Sequence, residues 1–317
     1  MKHLLKIDAN NEIERLVPWI RETTLRRFGR KGAVVAISGG IDSSVVAALC
    51  VRALGPKRVL TLMLPETESS DDNARLGKLL ANHIGVETIT ENITPLLDAA
   101  GCYRRRDEAI RTLIPEYQPG WKSKLVLPSV VDSDMYRLFS IVVQSPDGKQ
   151  LRARLTHDAF LSIVAAMNFK QRTRKMLEYY HSDRMNYVVT GTPNLLEYDQ
   201  GFFVKLGDGA ADLKPIAHLY KSQVYDLAAA LDIPAEIRAR PPSTDTYSLP
   251  QSQEEFYFSL PYADMDVCLY AKNHGIGAAE VAAALNLEPV QIERVFRDID
   301  AKRNMARYLH SPPLTIV

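Results

Sequence analysis

The chain has 317 residues, 46% hydrophobic and 24% charged, enough to bury a sizeable core as one large α/β domain or two smaller ones. Its formal net charge of +1 gives no electrostatic drive toward nucleic acid or a membrane surface. Three isolated cysteines, Cys50, Cys102 and Cys268, make neither a disulfide framework nor a CxxC motif, and no run is a signal peptide or long enough to cross a membrane, which together point to the reducing cytoplasm.

Residues 9–29 read as an amphipathic helix, with Ile13, Leu16, Val17, Ile20 and Leu25 near helical spacing and Gly29 after it. Val34 opens VVAISGGIDSS, a buried parallel strand running into a turn at Gly39 and Gly40, then a helix over residues 43–54 ended by Gly55 and Pro56. Residues 59–64 (VLTLML) read as a second buried strand, 70–83 as a helix and 86–89 as a third strand. This rhythm predicts a doubly wound parallel sheet with helices on both faces and ligands at the carboxyl ends of its strands.

Residues 102–158 form the least regular stretch and read as an insertion. Its run Arg104, Arg105, Arg106 reads as a solvated face, and Asp147-Gly148 between YRLFSIVV and KQLRARL predicts a β-hairpin. A long helix follows over 158–180, a strand over 187–190 leading into GTPNLLE, the Gly-rich loop GFFVKLGDGAADLKPI, and a helix in LYKSQVYDLAAALDI stopped by Pro234. Residues 244–261 lack a helical or strand period and read as a mobile lid, and the remainder to Arg307 as two helices around Gly275 and Gly277. No linker divides the chain, so residues 1–317 are expected to form one domain.

The chemistry concentrates in SGGIDSS. A strand, a Gly turn with hydroxyls and a helix N-terminus make a pocket of N–H donors at a positive dipole end, which suits a phosphate. The loop is neither a Walker A sequence nor a dinucleotide fingerprint. The competing reading is a plain corner in which Asp42 and Ser43 cap the helix. SGGIDSS resembles the pyrophosphate loop of the N-type ATP pyrophosphatases, whose fold is adenine nucleotide alpha hydrolase-like. Asp42 beside polyphosphate then makes sense with a Mg²⁺ between them.

SGGIDSS, ENITPLLDA, NFKQRTR, GTPNLLE, GFFVKLGDGAADLKPI, LYKSQV, RPPSTD and AKR resemble, in this order, segments of the ammonia-dependent NAD⁺ synthetases. The resemblance implies ATP-dependent amidation of deamido-NAD⁺ with ammonia, through an acyl-adenylate, releasing AMP and pyrophosphate. It implies ATP contacts at Ile37, Ser38, Gly39, Gly40, Ile41, Asp42, Ser43, Ser44, Thr192, Lys221 and Ser243, with Mg²⁺ held by Asp42 and Glu197. It places deamido-NAD⁺ at Arg172, Lys205, Asp212 and Lys302, and catalytic roles at Asp42, Lys205 and Lys221. Only one of Arg172 and Arg174 need face the site, since they are two positions apart on a helix. By residue type alone, Thr192 reads equally as a helix cap, and Glu197 and Lys221 as solvated helix residues.

The resemblance further implies a homodimer and ammonia arriving free or from a separate protein, because no glutaminase segment precedes SGGIDSS. Four positions depart from the family pattern: Ala301 stands where a His precedes Lys302, Pro193 interrupts the GT-x-N segment, and Tyr257 and Ser259 replace acidic and glycine lid residues. Two further readings stand beside this one: a related amidoligase or thiolase acting on another acceptor, or a nucleotide-binding regulator without catalysis. The lack of paired cysteines argues against thiolation, and the retention of Asp42, Glu197, Lys205 and Lys221 against a passive regulator.

Overall fold

The computed structural model describes residues 1–129, 131, 139–241, 247–251, 257–258 and 260–316. In chain order it contains α1 (Ala9–Glu22), β1 (Ala33–Ala36), α2 (Ile41–Leu54), β2 (Val59–Met63), α3 (Asp71–Ile84), β3 (Glu87–Thr90), α4 (Thr94–Ala99) and α5 (Cys102–Arg111). There follow β4 (Lys122–Val126), β5 (Ser140–Gln144), β6 (Gln150–Arg154), α6 (His157–Met185), β7 (Val188–Thr190), α7 (Leu195–Gln200), α8 (Lys221–Ala230) and α9 (Ala235–Ala239). The last helices are α10 (Tyr262–Asn273), α11 (Ala278–Leu285) and α12 (Pro289–His310).

The main sheet is four-stranded and parallel, in the order β3-β2-β1-β7. Its central strands are apolar on both faces because both are covered. Ala33 and Val35 of β1 face a core with α1, α2 and α8, whereas Val34 faces Ile93, Leu97 and Cys102 on the other side. The expected helices on both faces are therefore present.

The sequence expectation needs correction at several places. The opening helix stops at Glu22 and gives way to one wide π turn over Thr23–Arg27. The expected hairpin exists as β5 and β6, but β4 joins it, giving a three-stranded antiparallel sheet in the order β4-β5-β6. The start of the supposedly irregular stretch is the regular helix α5, which buries Cys102, Arg106, Asp107, Ala109 and Ile110. Arg106 thus departs from the solvated reading, because its guanidinium bonds Glu68 at 2.5 Å and Asp107 at 2.8 Å while only 5% exposed. After Pro261 the chain forms three helices rather than two.

The lid reading covers residues that lie in part outside the described ones. Residues 247–251 run beside β4, and Phe258 and Leu260 are buried in the core of the last three helices. Among the described residues no helix is long and apolar enough to cross a membrane.

Candidate active site

The carboxyl ends of β1, β2 and β7 open into one cleft of about 520 Å³. Its floor is the turn between β1 and α2. Gly39 there has φ +75°, and a Cβ would come within 2.8 Å of the Asn73 carbonyl of α3, so conformation and space both demand glycine. The turn is shaped by its own hydroxyls: Ser43 Oγ accepts from the Ser38 amide at 3.3 Å and Ser38 Oγ from the Gly40 amide at 3.3 Å. Ser43 and Ser44 Oγ donate to the Gly40 carbonyl at 3.1 and 2.8 Å.

Asp42 leads from the first turn of α2 into this cleft and pairs with Lys221 at the start of α8. Its Oδ1 accepts from Asn194 Nδ2 at 3.1 Å. Asn194 is 1% exposed, and its other amide atom caps α7 by accepting from the Glu197 backbone at 3.1 Å, while the Glu197 carboxylate accepts from the Asn194 amide at 3.2 Å. One buried amide therefore fixes the two carboxylates relative to each other. Asn194 was missed as a site residue, although Asn-x-x-Glu is a capping-box pattern legible in the sequence.

Lys221 is 2% exposed. Burial pulls its pKa down, but the charges of Asp42 and Glu197 and the bond to Asp42 outweigh it, so the ammonium is held above its ordinary value. Its backbone is fixed from α10: Asp266 is fully buried and accepts from the Lys221 and Ser222 amides at 3.2 and 2.7 Å. A carboxylate at the start of α8 is favourably placed toward the helix dipole. Burial nevertheless pushes its pKa up to about 6.

Ile37, Ser38, Gly40, Ile41, Asp42, Ser43, Thr192, Glu197 and Lys221 line the cleft together. Gly39 and Ser44 lie beneath it as parts of the turn. Arg172, Lys205, Asp212 and Lys302 are not among the lining residues. Arg172 Nε meets the Lys205 carbonyl at 3.3 Å, and Lys205 Nζ meets the Tyr308 carbonyl at 2.8 Å while lying 4.1 Å from the Tyr308 ring centroid. Asp212 accepts from the Val189 amide at 2.7 Å and from the Tyr179 hydroxyl at 3.3 Å. Lys302 is 3% exposed, paired with Asp298 at 2.6 Å and with the Tyr257 carbonyl at 2.5 Å. Ser243 lies outside the described residues.

Of Arg172 and Arg174 it is Arg174 that lines the cleft, with further ionic residues beside it. Arg174 Nε donates to the Leu64 carbonyl at 3.2 Å, and Lys175 pairs with Glu178 at 2.5 Å with both buried. Burial raises the carboxyl pKa of Glu178 and of Asp208, the latter within the GDG turn. Lys175 and Glu178 lie outside the motifs, but α6 places Gln171, Arg174, Lys175 and Glu178 on one face at helical spacing. Among the described residues no group of three or more His, Cys, Asp or Glu side chains could hold a metal ion. Asp42 and Glu197 are hard oxygen donors suited to a hard cation shared with phosphate oxygens.

The family model described as NAD synthase matches residues 12–112 and 140–307. The NH(3)-dependent NAD(+) synthetase of Rhizobium meliloti (strain 1021) is 58% identical over 309 residues, covering 98% of this chain and 92% of that protein. The one of Thermotoga maritima is 34% identical over 305 residues, covering 95% of this chain and 98% of that protein. Among solved structures, NMN synthetase from Francisella tularensis aligns with a TM-score of 0.68 at 22% identity, covering 98% of this chain and 99% of that one. NH3-dependent NAD synthetase from Campylobacter jejuni aligns at 0.64 and 22% identity, covering 98% and 100%. At that identity the two structures share the fold, while the family match and the sequence relatives go further: the chain belongs to the NAD synthase family.

Proposed function

We propose that the cleft amidates the nicotinate carboxylate of deamido-NAD⁺ with ammonia, using ATP and releasing AMP and pyrophosphate. The observation that supports it most is the linked set of Lys221, Asp42, Asn194 and Glu197 at the mouth of the turn between β1 and α2. The reading also draws on the NH(3)-dependent NAD(+) synthetase named at 58% identity over nearly the whole chain.

In the first step a nicotinate oxygen bonds to the α-phosphorus of ATP and the bond to the bridging oxygen breaks, so pyrophosphate leaves. The turn after β1 and the N-terminus of α2 hold the departing charge, and the Lys221 ammonium meets it as a fixed cation. Asp42 and Glu197 would hold Mg²⁺, which supplies further neutralisation of the polyphosphate. Ammonia then attacks the acyl carbon, AMP leaves with the electron pair of the acyl–oxygen bond, and the amide forms after loss of a proton. Ammonia arrives free or from a separate protein.

Residues 1–317 act as one unit in the cytoplasm, as a homodimer. Leu161, Ala165, Arg172, Met176 and Tyr180 are exposed along one side of α6, and Leu161, Met176 and Tyr180 are 49–59% exposed, an apolar stripe suited to a second copy. Arg172 lies within this stripe and meets the Lys205 carbonyl, which supports a dinucleotide site beside that interface.

Purified protein incubated with ATP, Mg²⁺, NH₄⁺ and deamido-NAD⁺ is expected to give NAD⁺ and AMP by mass spectrometry. AMP formation only with another acceptor, including nicotinate mononucleotide, would overturn the substrate, and no turnover would overturn the reading. Light scattering showing monomer alone at working concentration would remove the dimer.

A further inference from the structure

A second recess, of about 470 Å³, lies at the amino-terminal end of the sheet, away from the cleft, and Leu25, Arg30, Lys31, Arg58, Met185 and Tyr187 line it. Gly32, Arg58 and Tyr187 each stand one residue before a strand, side by side in the register that pairs Ala33 with Val59 and Val188. They pack closely: a Cβ on Gly32 would come within 2.3 Å of the Arg58 carbonyl and 2.5 Å of the Tyr187 ring. Tyr187 is buried, and its hydroxyl donates to the Lys57 carbonyl at 3.4 Å. Two irregular stretches bring the rest of the rim to this floor. The wide π turn over Thr23–Arg27 ends with the Phe28 amide on the Thr23 carbonyl, and Asn186, left-handed at φ +56°, holds Arg30 Nη1 on its Oδ1 at 2.6 Å. Such backbone is less stable than a regular helix end and recurs at ligand clamps.

The charge of this rim is unanswered. Arg26, Arg27, Arg30, Lys31, Lys57 and Arg58 are all exposed, and among the described residues none of them forms an ion pair. Among the described residues their one side-chain hydrogen bond goes to the neutral amide of Asn186. In a chain of net charge +1, six cations on two turns repel one another, and a bound anion relieves that cost. Below them Leu25 and Met185 are half-buried beside Tyr187, an apolar floor that hydrated cations alone do not need. The volume is that of a small-molecule site, and cations over an apolar floor fit a ligand with a phosphate at one end and a flat ring at the other. The six steps from Lys31 to Ile37 span on the order of 20 Å as a strand, so such a ligand is out of reach of the cleft.

We propose that this recess is a second nucleotide site, in which Arg30, Lys31 and Arg58 hold the phosphate of a nucleoside monophosphate and Leu25, Met185 and Tyr187 meet its ring. A bare phosphate leaves the apolar floor in water, and a nucleic-acid strand needs a basic track longer than two turns. The site is independent of the reaction proposed above: its test needs no turnover, so a wild type that makes no NAD⁺ would remove that reaction and leave the recess to be decided.

The test is photolabelling of the full chain with 8-azido-AMP, the labelled peptides being located by mass spectrometry. Wild type is expected to carry label on the peptides that hold Leu25 and Met185 to Tyr187 as well as on cleft peptides, and the recess label should fall as ionic strength rises. Arg58→Ala combined with Lys31→Ala is expected to lose the recess label at least about tenfold, the factor for one charge-assisted hydrogen bond, while cleft label, kcat and KM for ATP stay within about twofold. Arg58→Lys should keep most of the recess label. The melting temperature of the alanine variant should match or exceed wild type, because like charges are removed and no side-chain bond is lost. Label confined to the cleft, recess label unchanged in the alanine variant, or recess label indifferent to salt in wild type would each overturn the site. Displacement of the recess label by inorganic phosphate as readily as by AMP would overturn the nucleotide, and displacement by a single-stranded oligonucleotide but not by AMP would overturn it in favour of a nucleic-acid surface.

Discussion

Lys170 is 1% exposed and Lys221 2%, but their surroundings differ in kind. Lys170 meets Glu66 at 2.9 Å and Glu68 at 2.6 Å; Glu68 is shared with Arg106, and the Tyr103 hydroxyl donates to Glu66 at 2.5 Å. This cluster closes on itself behind β2. The neighbouring Pro65, Ser69 and Ser70 form part of the cleft rim, so its balanced charges shape the site from outside. Lys221 instead pairs with an Asp42 that lines the cleft together with Glu197. A buried charge answered within the protein supports architecture, whereas one answered at a cavity wall is available to a ligand.

The sharpest way to break this contrast is Asp42→Asn. Turnover is expected to fall at least about a thousandfold, the scale of losing a preorganised electrostatic partner, while the melting temperature stays near wild type. Product formation and thermal unfolding measured on one preparation decide it; wild-type turnover at saturating Mg²⁺ would remove Asp42 from the chemistry. Lys170→Met is expected to do the reverse. It leaves buried carboxylates short of a cation and lowers stability by about 3–5 kcal/mol in denaturant titration, with kcat of the folded fraction within a few-fold.

Third comes pH, where the clusters should have opposite signs. Burial raises the Glu66 carboxyl, but the charge of Lys170 and bonds from Tyr103 and the Glu68 amide outweigh it, and its pKa is lowered. Its stabilisation is full above the unfolded value and is lost as pH falls. Asp266, behind Lys221, is raised to about 6 because burial outweighs the Ser222 and Lys221 bonds and the Lys221 charge. The native state holds that proton more tightly than the unfolded chain, so this contribution is full at low pH and lost as pH rises through about 6. The stability advantage of wild type over Asp266→Asn should therefore shrink by about 3 kcal/mol between about pH 4 and pH 7, read by denaturant titration at each pH. The smallest effect belongs to Arg104→Ala. Its bond to Glu108 at 2.9 Å is solvent-exposed, and stability should change by less than about 0.5 kcal/mol, unlike a change at Arg106 two residues away.

The parallel strands and the phosphate turn were legible because β-branched runs, Gly39-Gly40 and a small-residue helix are local signals that agree with the global fold. Gly148, at φ +89°, made the hairpin equally plain. β4 was not, since Lys122 and Lys124 dilute a short alternation and its pairing partners at Ser140–Gln144 and residues 248–251 are remote. In α5 the signal existed: Cys102, Arg106, Ala109 and Ile110 share one face, but a run of arginines hides that the middle turn points inward. The ionic residues of α6 were illegible for another reason. Different faces of this one helix meet two cores, the cleft and solvent, so no single polarity period survives. Asn194 and Asp266 support cleft residues from behind, Asn194 by bonding the Asp42 carboxylate and the Glu197 amide and Asp266 by accepting from the Lys221 and Ser222 amides, which residue type alone does not announce.

The pairing of β1 on its two edges has a kinetic consequence. Ala33 pairs with Val59 on one side and with Val188 on the other. The first contact closes a short loop, while the second waits for the whole of β2 through α6 to be synthesised and brought back. Loop closure grows only slowly with length in free energy, but non-local pairing slows folding strongly. Asp42 follows the early edge and Glu197 the late one. The half-site nearest the N-terminus can therefore exist on a nascent chain well before the other carboxylate arrives. The rate-limiting closure of the sheet is then the same event that assembles the active site, so a refolding time course followed by activity should track one followed by the burial of β7.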